Sequence, residues 1–112
     1  MAIDRWAIVN EYYKGDAEIL NEVCSPCGEL AHYYPPLEEM PAAIQELFTY
    51  SPEKARQLLK DAGYPNGFKT ECICTSTQVD MLSIVKGYWN AIGVELDIVV
   101  MESGAMASVS IE

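Results

Sequence analysis

The side chains best suited to chemistry in this sequence are four cysteines and a single histidine. Cys24 and Cys27 stand as Cys-Ser-Pro-Cys, the spacing of a dithiol redox motif. That motif works when the first thiol ends a strand and the second enters a long helix, whose dipole lowers the thiol pKa. Pro35 and Pro36 cut any such helix short. A plain loop pair or a local Cys24–Cys27 disulfide is therefore the expected state, and a small thioredoxin-like dithiol oxidoreductase is the alternative. Cys72 and Cys74 lie two apart in an alternating run, where neighbours on one strand face are poorly placed to bridge each other. All four thiols could in principle hold zinc, but structural zinc prefers paired Cys-x-x-Cys turns, so no metal or other cofactor is expected.

The remaining polar residues argue for binding rather than catalysis. His32 has no acid and nucleophile in its own segment to make it a general base. Glu38, Glu39 and Glu46 surround a short helical stretch and read as its solvated face, not as a pair of catalytic carboxylates. Tyr12 and Tyr13 fall at helical core spacing, whereas Tyr33 and Tyr34 sit on a loop and are the residues placed to touch a ligand. No catalytic constellation emerges, and an enzyme is not expected.

A chain of 112 residues can bury one modest core, which excludes two full domains. Half of it is hydrophobic and 21% is charged, a balance that favours folding over disorder. The net charge of -10 repels phosphate backbones and anionic lipid surfaces, so nucleic acid is excluded as a partner. No apolar run approaches the ~20 residues that span a bilayer, and the first residues lack the basic-then-apolar layout of a signal peptide.

The elements that must position these residues follow from punctuation. Asp4 can cap a helix near 5–14, with Ile3 and Ile8 as a hydrophobic staple, Trp6, Val9 and Tyr13 at helical spacing, and Gly15 as its stop. Residues 16–49 are interrupted by Pro26, Pro35, Pro36 and Pro41 and read as a long irregular loop with one short helix near Ala42 to Leu47. A helix near 52–62 has Ser51 as N-cap, Pro52 at its first position and Gly63 just past its end, with Ala55, Leu58, Leu59 and Ala62 on one face. Tyr64 is placed to fold back on Leu59 in a Schellman ending. Strands are expected near 68–75 and 95–101, joined by a helix near 78–92 that Ser76 or Thr77 would cap and whose stripe is Met81, Leu82, Val85, Tyr88, Trp89 and Ile92. Strand, helix, strand in that order implies a right-handed βαβ crossover with parallel strands, and hence the α/β class. Parallel strands want cover on both faces, and the helix at 52–62 can supply the second layer.

Three stretches in this order, AIDRWAIV, then YSPEKARQLLKDAGYPNGF, then NAIGVELDIVVME, resemble the second lobe of family 5 extracellular solute-binding proteins over residues 2 to 102. Ser103 stands after Glu102, where the family often has an aromatic residue. The resemblance implies a non-catalytic component of an ABC importer, two lobes that close by a hinge around a peptide or similar small solute, and a membrane permease as partner. It also implies a parent protein in the periplasm or, as a lipoprotein, on the extracellular face of the membrane. On this reading residues 1–112 are one excised segment of the second, C-terminal lobe, and the residues that anchor the solute lie mostly beyond it. A stand-alone α/β interaction domain is the third reading.

Overall fold

The computed structural model describes residues 1–20 and 35–109; Cys24, Cys27, His32, Tyr33 and Tyr34 lie outside the described residues. The chain divides into two compact units, one built on Ile3–Tyr50 and the other on Ser51–Glu112.

In the first unit, α1 (Arg5–Ala7) begins at Asp4, whose carboxylate accepts the Ala7 N–H at 2.9 Å. It runs directly into a π-helical turn, Ile8–Tyr12, closed by the Tyr13 N–H donating to the Ile8 carbonyl at 3.2 Å. That five-residue step widens the turn and breaks the 3.6-residue spacing on which Trp6, Val9 and Tyr13 were expected to share a face. Only Val9 is buried; Tyr12 and Tyr13 are exposed, not core, and Trp6 keeps 67% of its surface in solvent. The expected stop is present, with Lys14 at φ 56° and Gly15 at φ 86°, a conformation no right-handed helix continues.

Within the proline-rich stretch lie a 3-10 turn, Leu37–Glu39, and the expected short helix, α2 (Ala42–Phe48). Gln45 ties the two together, its Nε2 donating to the Glu38 and Met40 carbonyls at 3.0 and 2.7 Å. The Leu47 carbonyl, one of those a helix end leaves unpaired, accepts from the Met1 ammonium at 2.8 Å and from Arg5 Nη1 at 3.4 Å. Arg5 also lays its guanidinium 4.7 Å from the Phe48 ring centroid. Glu38, Glu39 and Glu46 are exposed.

The second unit opens with α3 (Pro52–Asp61). Pro52 occupies the first turn as read, but Ser51 stands at the N-cap without a side-chain hydrogen bond, so it marks the helix start without satisfying a donor there. The other end is the expected Schellman motif: Gly63 N–H donates to the Lys60 carbonyl at 3.1 Å and Tyr64 N–H to that of Leu59 at 2.8 Å. The Tyr64 ring then packs at a 60° tilt, 5.3 Å between centroids, on Phe68, the first residue of β1 (Phe68–Cys74).

A 3-10 turn, Ser76–Gln78, leads into α4 (Val79–Asn90), and β2 (Val94–Val100) returns parallel to β1. The register runs from Phe68 beside Val94 to Cys74 beside Val100. This is the α/β strand-helix-strand arrangement that the alternation required. Among the described residues Cys74, Leu96 and Val94 are the most deeply buried, at 1%, 2% and 4% exposure, on the sheet face that α4 covers. The opposite face exposes Lys69, Glu71, Glu95 and Asp97, with Lys69 and Glu95 paired at 2.9 Å. The second layer expected from α3 does not cover these four residues. Charged groups resist burial, and of the α3 stripe only Ala55 is buried while Leu58 stays 49% exposed. Arg56 reaches instead to the end of α4, its Nε donating to the Ala91 carbonyl at 3.2 Å.

Both loops at the amino edge of the sheet turn on glycine. Gly67 (φ 72°) and Gly93 (φ 91°) lie backbone against backbone, and a Cβ built on Gly67 would overlap the Gly93 carbonyl. Beyond β2, the Met101 N–H donates to the Cys74 carbonyl at 2.8 Å, and α5 (Ser103–Val109) follows.

Candidate functional site at the carboxyl edge of the sheet

Parallel strands deliver all their carboxyl ends to one edge, and ligands of open α/β sheets bind in the crevice outside that edge. Here the edge is set by the pairing of Cys74 with Val100. The first strand leaves through Thr75, Ser76, Thr77 and Gln78, the second through Met101, Glu102 and Ser103.

The Thr75–Gln78 turn is held by a capping box. The Thr75 side chain accepts the Gln78 N–H, and the Gln78 Oε1 accepts the Thr75 N–H at 3.1 Å. Thr75 therefore caps the 3-10 turn, while α4 has Gln78 at its N-cap position with no side-chain hydrogen bond, so neither Ser76 nor Thr77 caps it. β1 ends one residue earlier than the alternation suggested, because the box needs its hydroxyl residue three positions before the glutamine. Thr75 Oγ1 also lies 3.0 Å from Thr77 Oγ1. Ser76, Thr77 and Gln78 remain exposed around this fixed backbone, as do Glu102 and Ser103 where α5 starts.

Hydroxyls, an amide and one carboxylate on rigid element ends can hydrogen-bond a polar solute. They include no nucleophile with a base beside it. The electrostatic asymmetry lies elsewhere on the sheet. Lys69, near the start of β1, has its pKa raised above the usual lysine value, first by its hydrogen bond to Glu95 and then by the charge of that carboxylate. The Met1 ammonium is shifted down, by burial first and then by Arg5.

Cys72 and Cys74 are free thiols on the covered face of β1. Cys74 is sealed, whereas Cys72 opens into a groove of 490 Å³ shared with Thr70, Leu82, Val85, Trp89 and Leu96. Among the described residues no group of three His, Cys, Asp or Glu is arranged to hold a metal. Reading for reactive side chains passed over the Thr75–Gln78 turn. Its signal was a run of four polar residues, Thr-Ser-Thr-Gln, at a strand-to-helix junction.

Comparison with known proteins bears on the family and the fold. A family model described as bacterial extracellular solute-binding proteins, family 5 middle, matches residues 1–109. The glutathione-binding protein GsiB of Escherichia coli K12 is 32% identical over 110 residues, covering 96% of this chain and 19% of that protein. GsiB of Salmonella typhimurium LT2 is 34% identical over the same share of each chain. Among solved structures, the periplasmic binding protein DppA from Helicobacter pylori, in complex with the peptide STSA, superposes with a TM-score of 0.69 at 29% identity, over 94% of this chain and 19% of that one. The binding protein AgaA from A. tumefaciens R10, in complex with agropinic acid, gives 0.71 at 27% identity, over 98% and 22%. The chain thus spans about a fifth of the length of the curated relatives it matches, 19% in each of these two.

Proposed function

The chain belongs to the bacterial extracellular solute-binding proteins of family 5, and from that premise we propose that it is a segment of the second lobe of an importer's binding component, contributing the carboxyl edge of its sheet to the solute cleft. Proteins of this family are periplasmic or extracellular and serve ABC transporters. The observation that carries the reading is the polar rim, half-buried Thr75 with exposed Ser76, Thr77, Gln78, Glu102 and Ser103, held on element ends at the edge where α/β sheets take their ligands. Of the relatives named above, GsiB is a glutathione-binding protein, DppA holds the peptide STSA and AgaA holds agropinic acid. A short peptide or a comparable polar solute is the class proposed here.

The rim is one wall. A cleft between lobes buries most of its ligand only when both walls are present, so residues 1–112 alone bind weakly. Losing contacts worth about 4 kcal/mol weakens binding roughly a thousandfold, which takes a micromolar site to millimolar. The partners proposed for the whole protein are the solute and a membrane permease, and the place of action is the periplasm or the outer face of the membrane. No catalytic role is proposed.

The test is a ¹H–¹⁵N NMR titration of this chain with the peptide Ser-Thr-Ser-Ala and with glutathione at millimolar concentration. Resonances of Thr75–Gln78 and Ser103 should move, and those of Lys69 and Glu95 should not. Shifts absent from the rim, or micromolar affinity in this chain alone, would refute the assignment.

A further inference from the structure

The first unit carries a cavity that the carboxyl edge does not use. It is a half-open hollow of about 330 Å³ lined by Trp6, Ile19, Leu37 and Phe48 together with Glu18 and Glu38. That volume lies near the lower end of small-molecule sites, which run from about 300 Å³ upward. Two aromatic rings and two carboxylates select the sign of the occupant. Both the electron-rich ring faces and the carboxylates attract a cation, and neither favours an anion.

Three observations sharpen this. Trp6 is 67% exposed and lines the cavity, so it presents aromatic surface there. Phe48 already holds a cation, the Arg5 guanidinium at 4.7 Å from its centroid, which is within cation–π range. Among the described residues no lysine or arginine lines this cavity, whose acidic residues are Glu18 and Glu38; Arg5 lines the adjoining hollow with Ala17, Glu18 and Ile19. The net charge of -10 adds a long-range field that draws cations toward the chain.

We propose that this cavity binds a small organic cation, an ammonium or guanidinium group on a short apolar body, stacked on Trp6 and held by Glu18 and Glu38. The inference stands apart from the carboxyl-edge reading, because no residue is shared between the two sites.

The probe is choline, titrated beside its neutral carbon isostere dimethylbutanol and followed by ¹H–¹⁵N NMR of the two indole N–H groups, assigned with Trp6→Phe. Choline should move the Trp6 indole and the amides of residues 17–19 in a saturable way, with a dissociation constant on the order of millimolar, as expected of exposed cation–π and carboxylate contacts. The Trp89 indole should stay in place, and raising the ionic strength should weaken binding. The double variant Glu18→Gln, Glu38→Gln changes exposed residues only and should keep the fold by circular dichroism while binding about threefold to tenfold more weakly. Trp6→Ala, followed through residues 17–19, should weaken binding to a similar degree. Equal binding of dimethylbutanol, unchanged affinity in the double variant, or no saturable shift of Trp6 would each overturn the proposal.

Discussion

Replacing Gly67 by alanine tests the close backbone approach between Gly67 and Gly93, and two other glycines supply its controls. Gly63, Gly67 and Gly93 all hold positive φ, at 93°, 72° and 91°. An L-residue there costs roughly 1–2 kcal/mol relative to glycine whatever surrounds it. The surroundings differ sharply. A methyl on Gly63 meets nothing within 4 Å, one on Gly93 finds ordinary contacts at 3.5 Å, and one on Gly67 overlaps the Gly93 backbone. Backbone cannot rotate away as a side chain can, so the start of β1 must shift against the start of β2, at about 1–3 kcal/mol more. Gly63→Ala and Gly93→Ala should therefore cost about 1–2 kcal/mol each and Gly67→Ala about 2–5 kcal/mol, a large share of a typical domain's 5–15. The assay is urea unfolding followed by Trp89 emission in a Trp6→Phe background. With a slope of about 1–3 kcal/mol per molar, the Gly67→Ala midpoint should fall clearly below the other two. Equal midpoints for Gly67→Ala and Gly63→Ala would refute the reasoning, because the close approach would then contribute nothing.

Other outcomes follow from the same structure. Thr75→Ala removes the capping box and should destabilise the second unit by about 0.5–2 kcal/mol in urea melts, with Thr75→Ser recovering most of it. In the native chain an alkylating reagent should label Cys72 well before Cys74, read by peptide mass spectrometry, since Cys74 is 1% exposed; equal rates would contradict the packing of β1. Lys69 has a pKa above its ordinary 10.5, so whatever stability its pair with Glu95 lends is fully present below that value and fades as pH rises through the higher folded one. Lys69→Met should flatten that alkaline dependence, and because the group is fully exposed, added salt should flatten it too. Insulin-reduction assays should show no turnover above a Cys24→Ser control; activity lost on that change would favour the dithiol reading instead.

Much of the second unit could be read from its residues because local and tertiary signals agree there. Pro52 and Gly63 bracket α3 by backbone chemistry alone, and the alternation in FKTECICT and VELDIVVM gives two strands whose order demands parallel pairing. Where the reading slipped, a geometric detail outweighed spacing. The π turn at Ile8–Tyr12 rotated Trp6 and Tyr13 off the face that 3.6 periodicity assigns them. The capping box formed on the 3-10 turn, through Thr75 three positions before Gln78, and left α4 without a side-chain cap. The rim of the candidate site was passed over for a related reason. Its hydroxyls and amide are the residue types any helix start uses, so only the placement of the turn at the strand ends sets it apart. The cavity of the first unit depends on side chains from Trp6 to Phe48, distant in sequence, and no local pattern announces such a meeting.

The constant offset between the two strands also bears on how this unit folds. Every paired residue in the ladder has its partner 26 positions away, so no rung can form early as a hairpin rung does. The closure entropy of the intervening chain opposes the first rung alone, and each later rung adds little to it. Because α4 occupies the intervening chain and covers the face holding Cys74 and Leu96, its docking and the zipping of the strands form a single event. The sheet should then appear late in refolding, after helical signal has developed in α3 and α4. In native-state hydrogen exchange the amides of β1 and β2 should open as one group, since losing the crossover frees the whole ladder at once.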